Sequence, residues 1–244
     1  MSDHLAKGGL KPITFAYKNM SYEDFEALKT ENGNFETELG RANLECGFTL
    51  VASYGLHDEY RNGCIEAIEK LYEGVTNTRI LSGDHRDTVI AAARHFKIIE
   101  PEGEFGVISG EELRVQLLDL LTEVQDETNP TKQVMRFKDK EARKLFKDTL
   151  NKEVQVLYRA TPYDKYLFTS ALRDSGSVVA VTGESISDVM ALGEADVGFC
   201  MGSGCAVAKD ASDIIFLDDN FSSIFNAVKW GRNIFENCRK FIMF

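Results

Sequence analysis

A chain of 244 residues, 43% apolar and 27% charged, has room for one large domain or two small ones and the composition of a folded protein. Its 28 basic and 39 acidic side chains leave a net charge of −11, which disfavours a nonspecific nucleic-acid binder, since phosphates are met with clustered Lys and Arg. The acids are dispersed, as on a solvated surface, and no run approaches the roughly 20 apolar residues of a membrane helix.

The N-terminus lacks the apolar core of a secretory signal. Cys46, Cys64, Cys200, Cys205 and Cys238 form no C-x-x-C pair, and the four histidines show no zinc-ligand spacing. Reduced thiols and a cytosolic setting are expected.

In chain order, the first 45 residues hold one strand, at 13–17, and an acidic helix or loop. They look too thin for an independent domain. From about residue 46, apolar runs at 48–52, 79–82, 154–158, 178–182, 197–200 and 213–217 alternate with helical patterns. Those patterns lie near 63–73, 85–97, 162–174, 185–193 and 203–211. Nearly continuous apolar runs suit strands buried on both faces of a parallel sheet. The alternation predicts an α/β domain with a doubly wound parallel sheet.

Segment 100–152 reads differently, as a variable excursion outside that sheet. It offers a strand at 105–108, a helix near 110–124, the breaker Asn129-Pro130 and a charged helix near 138–150. From Phe221, the spacing of Ile224, Phe225, Val228, Gly231 and Phe235 predicts a long helix capped by Asn220. No stop signal precedes Phe244, so the natural element is expected to continue.

In a doubly wound sheet, ligands bind at the carboxyl ends of strands. Ser82-Gly83-Asp84 follows one strand and offers a hydroxyl and N–H donors to a phosphate; simple capping of the next helix is the alternative. Thr182-Gly183-Glu184-Ser185-Ile186-Ser187-Asp188 follows another. Its two carboxylates, four residues apart at a strand-to-helix turn, are hard oxygen ligands suited to Mg²⁺, or else first-turn acids complementing a helix dipole. Between them, Arg159-Ala160-Thr161-Pro162-Tyr163-Asp164-Lys165 places Lys165 one turn into a helix, where it can neutralise a phosphoryl group or simply be solvated.

A hydroxyl, then a lysine, then paired acids at successive strand ends resembles the order of the haloacid-dehalogenase-like phosphotransferases. The wording narrows this to P-type cation-transporting ATPases. Gly9-Leu10-Lys11-Pro12-Ile13 and Ala16-Tyr17-Lys18 resemble the end of their nucleotide-binding domain, and Asp58-Glu59-Tyr60-Arg61 their Asp-Pro-x-Arg hinge. Ser82-Gly83-Asp84-His85 resembles Thr-Gly-Asp-Asn, and Pro162-x-x-Lys165 resembles Pro-x-x-Lys. The run from Val179-Ala180-Val181-Thr182-Gly183-Glu184 through Ala208-Lys209-Asp210-Ala211-Ser212-Asp213 to Trp230-Gly231-Arg232-Asn233 is the most specific, and looks most like plasma-membrane-type calcium pumps.

The resemblance implies an incomplete phosphorylation domain at 58–220 with the variable insertion 100–152. It also implies a remnant of the nucleotide-binding domain at 1–57 and a stalk helix at 221–244 leading toward a membrane span. In that family an Asp within Asp-Lys-Thr-Gly-Thr takes phosphate from ATP. Carried over, Ser82 hydrogen-bonds the phosphoryl group and Lys165 stabilises its charge. Glu184 and Asp188 stand at the Mg²⁺ side. Asp84 and Arg159 reach the nucleotide, and Gly83, Thr182 and Gly183 are expected to be cofactor-binding with them. Calcium would be the ion transported by the full-length pump, at the cytoplasmic face of a membrane.

Three departures follow. No Asp-Lys-Thr-Gly-Thr occurs in the 244 residues, so the strand that carries the nucleophile is missing and the parallel sheet is expected to have a gap. On this resemblance the 244 residues are also expected to lack the actuator domain, most of the nucleotide domain and the membrane spans. Glu184 replaces an Asp, which shifts its oxygens by about 1.5 Å, and magnesium is demanding of geometry. Ser187 replaces an Asn, and Ser185 replaces a Gly and is expected to restrict the turn.

The first expectation is therefore a fragment of an ATP-driven calcium pump contributing the magnesium- and phosphoryl-binding half of the domain. The alternative is a catalytically degenerate module with a binding or regulatory role. A free-standing phosphatase fits poorly, because neither Asp3, Asp24 nor Asp58 has an acid two residues on within a buried strand.

Overall fold

The computed structural model describes residues 4–5, 8–57, 59–103, 105–125 and 133–244, and the chain divides into two units, Met1–Asp58 and Glu59–Phe244. In the first, β1 (Lys11–Tyr17) pairs antiparallel with the later strand β2 (Thr49–Leu56), with the Thr14 and Ser53 hydroxyls 2.9 Å apart. Between them run α1 (Tyr22–Glu31), capped by Ser21, a 3₁₀ turn at Gly33–Phe35, and α2 (Glu38–Leu44), capped by Thr37. The run at 48–52 thus joins an antiparallel ribbon and not the buried parallel sheet expected of it. Phe15, Leu50 and Tyr54 stay exposed along this two-stranded ribbon.

The second unit opens with α3 (Cys64–Glu73), which buries Cys64, Ala67, Ile68 and Leu71 at helical spacing. Then follow β3 (Ile80–Leu81), α4 (Arg86–His95), β4 (Val107–Ser109), α5 (Gly110–Leu120), β5 (Leu121–Gln125) and β6 (Gln133–Phe137). After these come α6 (Lys140–Asp148), α7 (Leu150–Glu153), β7 (Val156–Tyr158), α8 (Pro162–Asp174) and β8 (Ala180–Gly183). A 3₁₀ turn at Ile186–Asp188 leads into α9 (Val189–Glu194), followed by β9 (Val197–Met201), α10 (Ala206–Asp210), β10 (Ile214–Phe216) and α11 (Ser222–Met243).

This is a mixed α/β unit whose βα alternation yields parallel pairing, as the sequence predicts. The strands do not form one sheet, however. They form two three-stranded parallel sheets, ordered β3-β7-β4 and β10-β9-β8. The central strands β7 and β9 are buried, with Val156, Leu157 and Cys200 wholly out of solvent. Strands β3 and β8 each have a neighbour on one side only. On β8, Ala180 and Thr182 are exposed, so a run that reads as doubly buried is covered on part of its surface.

Segment 100–152 is not an outer excursion. β4 hydrogen-bonds to β7 in register, Ile108 opposite Leu157. Leu113, Leu117, Leu121, Met135, Phe137, Phe146 and Leu150 form one core with Leu157, Leu167 and Phe168. The helix expected to reach 124 stops at Leu120, because Leu121 pairs with Phe137 and Val124 with Val134 in an antiparallel ladder. Asn129 and Pro130 lie outside the described residues.

Just before α11, the Asn220 side chain accepts from the Ser222 N–H at 3.0 Å, but the residue that flanks the helix is Phe221, which makes no side-chain cap, so Asn220 stands one position short of its expected capping role. Arg232 donates to the Gly74 carbonyl at 2.7 Å and to Thr76 at 3.0 Å, fastening the helix beside α3. Ile224 is buried, whereas Trp230, Phe235 and Phe241 are exposed. Among the described residues, no helix is long and apolar enough to cross a membrane.

Candidate phosphoryl site at the strand ends

At the end of β3, the Ser82 hydroxyl accepts from the Asp84 N–H and donates to its carboxylate, each at 3.1 Å. This closed turn, not helix capping, is what the pair does, for α4 starts after His85 without a side-chain cap. The turn leans on the β7–α8 connection through backbone bonds. Ala160 N–H donates to the Ser82 carbonyl at 2.9 Å, and Arg159 N–H to the Asp84 carbonyl at 3.0 Å. Gly83 is exposed at its tip. Arg159 sits at φ +48° with its side chain exposed, a left-handed conformation that costs a non-glycine residue about 1–3 kcal/mol.

Lys165 is placed by the first turn of α8. The Thr161 hydroxyl accepts from the Asp164 N–H, while the Asp164 carboxylate accepts from the Thr161 N–H and hydroxyl, a capping box with Pro162 at the first helical position. Asp164 is wholly buried and held in a fork by Arg114 at 2.6 and 3.1 Å. Burial would raise its carboxyl pKa, but the Arg114 and Thr161 hydrogen bonds overcome that and hold it below the ordinary value. Gly110 permits this approach, because a Cβ there would lie 2.7 Å from the Asp164 carboxylate and 2.9 Å from the Ala160 Cα.

One turn is enough to bring Lys165 inward. It is buried, and its ammonium meets Asp188 Oδ1 at 2.7 Å and the Ser187 hydroxyl at 3.4 Å. The solvated alternative is excluded. Asp188 Oδ2 accepts from the Ser185 hydroxyl at 2.8 Å and from the N–H groups of Ser185 and Glu184 at 3.1 and 3.2 Å. Burial would push this carboxyl up, yet the Lys165 and Ser185 hydrogen bonds hold it below the usual aspartate value.

Gly183 is needed here. A Cβ on it would stand 2.5 Å from the Asp188 Cβ. Ser185, by contrast, is extended at φ −117° and ψ 166°, a conformation any residue adopts, so the expected restriction of the turn does not arise. Thr182 is exposed on β8, opposite Phe199 in the ladder.

The two acids therefore diverge. Asp188 is committed to Lys165 and Ser185. Glu184 is exposed and, among the described residues, its carboxylate has no hydrogen-bonding or ionic partner. It lines an open cleft of about 820 Å³ with Arg61, Ser185, Ile186, Ser187, Ser203 and Cys205. Cys205 N–H donates to the Glu184 carbonyl at 2.9 Å, fixing the backbone of that residue. Arg61 donates to the Asp219 carbonyl, and Asp219 in turn accepts from the Ser203 N–H at 2.9 Å. Asp58, the other residue of the hinge pattern, lies outside the described residues.

Among the described residues, no three His, Cys, Asp or Glu side chains gather as a metal site. One free carboxylate in an open cleft still suits magnesium, which takes one or two carboxylates and completes its shell with water and phosphate oxygens. Sequence reasoning missed Asp164, Arg114 and Gly110. The capping box Thr161-x-x-Asp164 was visible as a pattern, but an arginine fifty residues upstream leaves no local signal.

No family model matches the chain. Curated relatives do. Plasma membrane calcium-transporting ATPase 3 of Rattus norvegicus is 34% identical over 246 residues, covering 98% of this chain and 17% of the relative. Plasma membrane calcium-transporting ATPase mca-1 of Caenorhabditis elegans is 35% identical over 252 residues, 98% of this chain and 19% of the relative. Plasma membrane calcium-transporting ATPase 1 of Homo sapiens is 33% identical over 247 residues, 98% and 18% respectively. The chain thus spans less than a fifth of the length of these relatives. They bear out the resemblance to P-type calcium-transporting ATPases read from the motifs.

Proposed function

We propose that this chain, related along nearly its whole length to a segment of P-type calcium-transporting ATPases, supplies the magnesium- and phosphoryl-binding half of a phosphorylation domain in an ATP-driven calcium pump. The observation that carries this reading is the buried contact of Lys165 with Asp188 at 2.7 Å, with the Ser82–Asp84 turn bonded through Ala160 and Arg159 to the connection that leads into the Lys165 helix. A lysine ammonium held by one carboxylate keeps donors for a phosphoryl oxygen. Asp188 orients that ammonium and offsets its charge when no phosphate is present. The Ser82 hydroxyl donates to the same phosphoryl group once it turns away from Asp84. Asp84 and the exposed Arg159 reach toward the nucleotide.

Magnesium, when bound, would neutralise and orient phosphoryl oxygens, and Glu184 is the residue here that would hold it. The open edges of β3 and β8 support a further strand between the two parallel sheets, the one that would bring the nucleophilic aspartate. Calcium as the transported ion, and a place at the cytoplasmic face of a membrane, belong to this reading of the whole pump.

One observation favours the second reading, a catalytically degenerate binding or regulatory module. The Ser185 hydroxyl occupies an Asp188 oxygen at 2.8 Å, and a glycine there would leave that oxygen freer. Calorimetry of the chain with a non-hydrolysable ATP analogue separates the two. Magnesium-dependent binding that weakens on Glu184→Gln is expected for a working half-site. Absence of binding at millimolar analogue and magnesium, with the chain folded by circular dichroism, would favour the degenerate module.

A further inference from the structure

The five thiols are all free, and two of them belong to one small core beside the acid motif. Cys200 lies on β9 directly opposite Gly183 in the parallel ladder and is wholly buried. Cys205 follows five residues later, half-buried on the wall of the cleft, with its N–H on the Glu184 carbonyl. The chain turns sharply between them at Gly204. A Cβ on Gly204 would stand 2.5 Å from the Cys200 sulfur and 3.3 Å from the Glu184 Cα. The Cys200 sulfur therefore rests on the residue that immediately precedes Cys205. Cys205 itself packs against the small core of Leu192, Cys200 and Ala208.

We propose that Cys200 and Cys205 form an oxidative modification site, in which a hydroperoxide entering the cleft converts the two thiols to an intramolecular disulfide. In the first step the Cys205 sulfur attacks the peroxide, the O–O bond breaks, and a sulfenic acid and one water form from thiol and hydrogen peroxide. In the second step the Cys200 sulfur attacks the Cys205 sulfur, an S–S bond replaces the S–O bond, and the hydroxyl leaves as a second water with the Cys200 proton. Two thiols are oxidised and one peroxide is reduced, with nothing left over.

The order follows from access. Cys205 lines the cleft, whereas Cys200 is wholly buried, so a peroxide reaches the Cys205 sulfur first. Closure draws Cys205 toward Cys200 and away from the Glu184 carbonyl, so the modification acts on the loop that presents Glu184. Cys46 and Cys238 are exposed and Cys64 is buried on α3, remote in sequence from this turn.

Peptide mapping of the whole chain tests the site. Trypsin cleavage after Arg173 and Lys209 releases one peptide that contains Cys200 and Cys205 and no other cysteine. After hydrogen peroxide treatment of the folded chain and alkylation with N-ethylmaleimide, that peptide is expected to be lighter by two hydrogens and to carry no alkyl group. Dithiothreitol should restore two alkylatable thiols. Cys200→Ser should leave Cys205 as a sulfenic or sulfinic acid with no link. Two alkylated thiols after peroxide, or Cys205 oxidised to sulfinic acid in the unmutated chain while Cys200 stays free, would overturn the proposal. So would a link that forms as readily in urea as in buffer, since the folded turn would then contribute nothing.

Discussion

Strands β7 and β9 differ from β3 and β8 less in composition than in company. All four come from short apolar runs, but the first two have a parallel neighbour on each side and are buried, while the second two have one neighbour each. The candidate motifs follow this division unevenly. Lys165 comes after a central strand and is locked by Asp188. Ser82, Glu184 and Asp188 all come after edge strands; the Ser82 turn is closed on Asp84, whereas Glu184 stays exposed. The rigid contact thus ties Lys165, which follows completed sheet, to Asp188, which follows an open edge, while Glu184 in that same edge-strand turn stays exposed.

The largest test of the rigid part is Lys165→Ala. Both members of the ion pair are more than four-fifths buried at the side chain, and removing one partner of such a pair costs about 3–5 kcal/mol because the other charge is left alone. A large fall in the urea midpoint is expected. The double variant Lys165→Ala, Asp188→Ala should recover part of it, and additive losses would show that the pair is not coupled.

Next comes a direct comparison of the two strand classes. Leu157 on β7 is fully buried, and Leu157→Ala is expected to cost about 2–5 kcal/mol. Leu81, its register partner on β3, is half-buried and should cost clearly less. Equal losses would mean that β3 is as well covered as β7, and the contrast between edge and centre would fail.

The pH dependence has a definite sign. Asp188 is held below its ordinary value of 3.8, so its contribution is present above that pH and disappears as pH falls through the lower folded-state value. Asp164, also held low by Arg114, acts in the same direction. Melting temperature should therefore drop as the solution is acidified below about pH 4, and Asp188→Asn should flatten that drop. A melting temperature that rises on acidification would contradict both assignments.

The smallest effect is expected at the open edge. Ala180 on β8 is exposed, so Ala180→Lys should change stability by no more than about 0.5 kcal/mol. A large loss would mean that this face is already covered.

Much of this was legible in the sequence. The apolar runs at 79–82, 154–158, 178–182, 197–200 and 213–217 all contain strands, because βα alternation with buried pairing is a local signal. The run at 48–52 also enters a strand, but its antiparallel partner is the segment Phe15 to Tyr17, and apolar content alone does not state orientation. β5 was hidden because Leu121–Gln125 continues a helical pattern until a partner strand centred twelve residues on, Glu123 opposite Met135, pairs with it. At the site, the Lys165 and Asp188 positions were legible from motif order, but their contact was not. The divergence of Glu184 from Asp188 depends on hydrogen bonds from Ser185 and Lys165, which spacing cannot express.

Ser82, Lys165, Glu184 and Asp188 are proposed as half of a P-type phosphorylation site. This is tested most directly by grafting this chain in place of the matching segment of a plasma membrane calcium-transporting ATPase and measuring acid-stable phosphoenzyme from radiolabelled ATP. The account predicts calcium-dependent phosphoenzyme that needs more magnesium than the parent pump, with Glu184→Asp lowering that need. A correctly folded graft that forms no phosphoenzyme at any magnesium concentration, with or without Glu184→Asp, would contradict it.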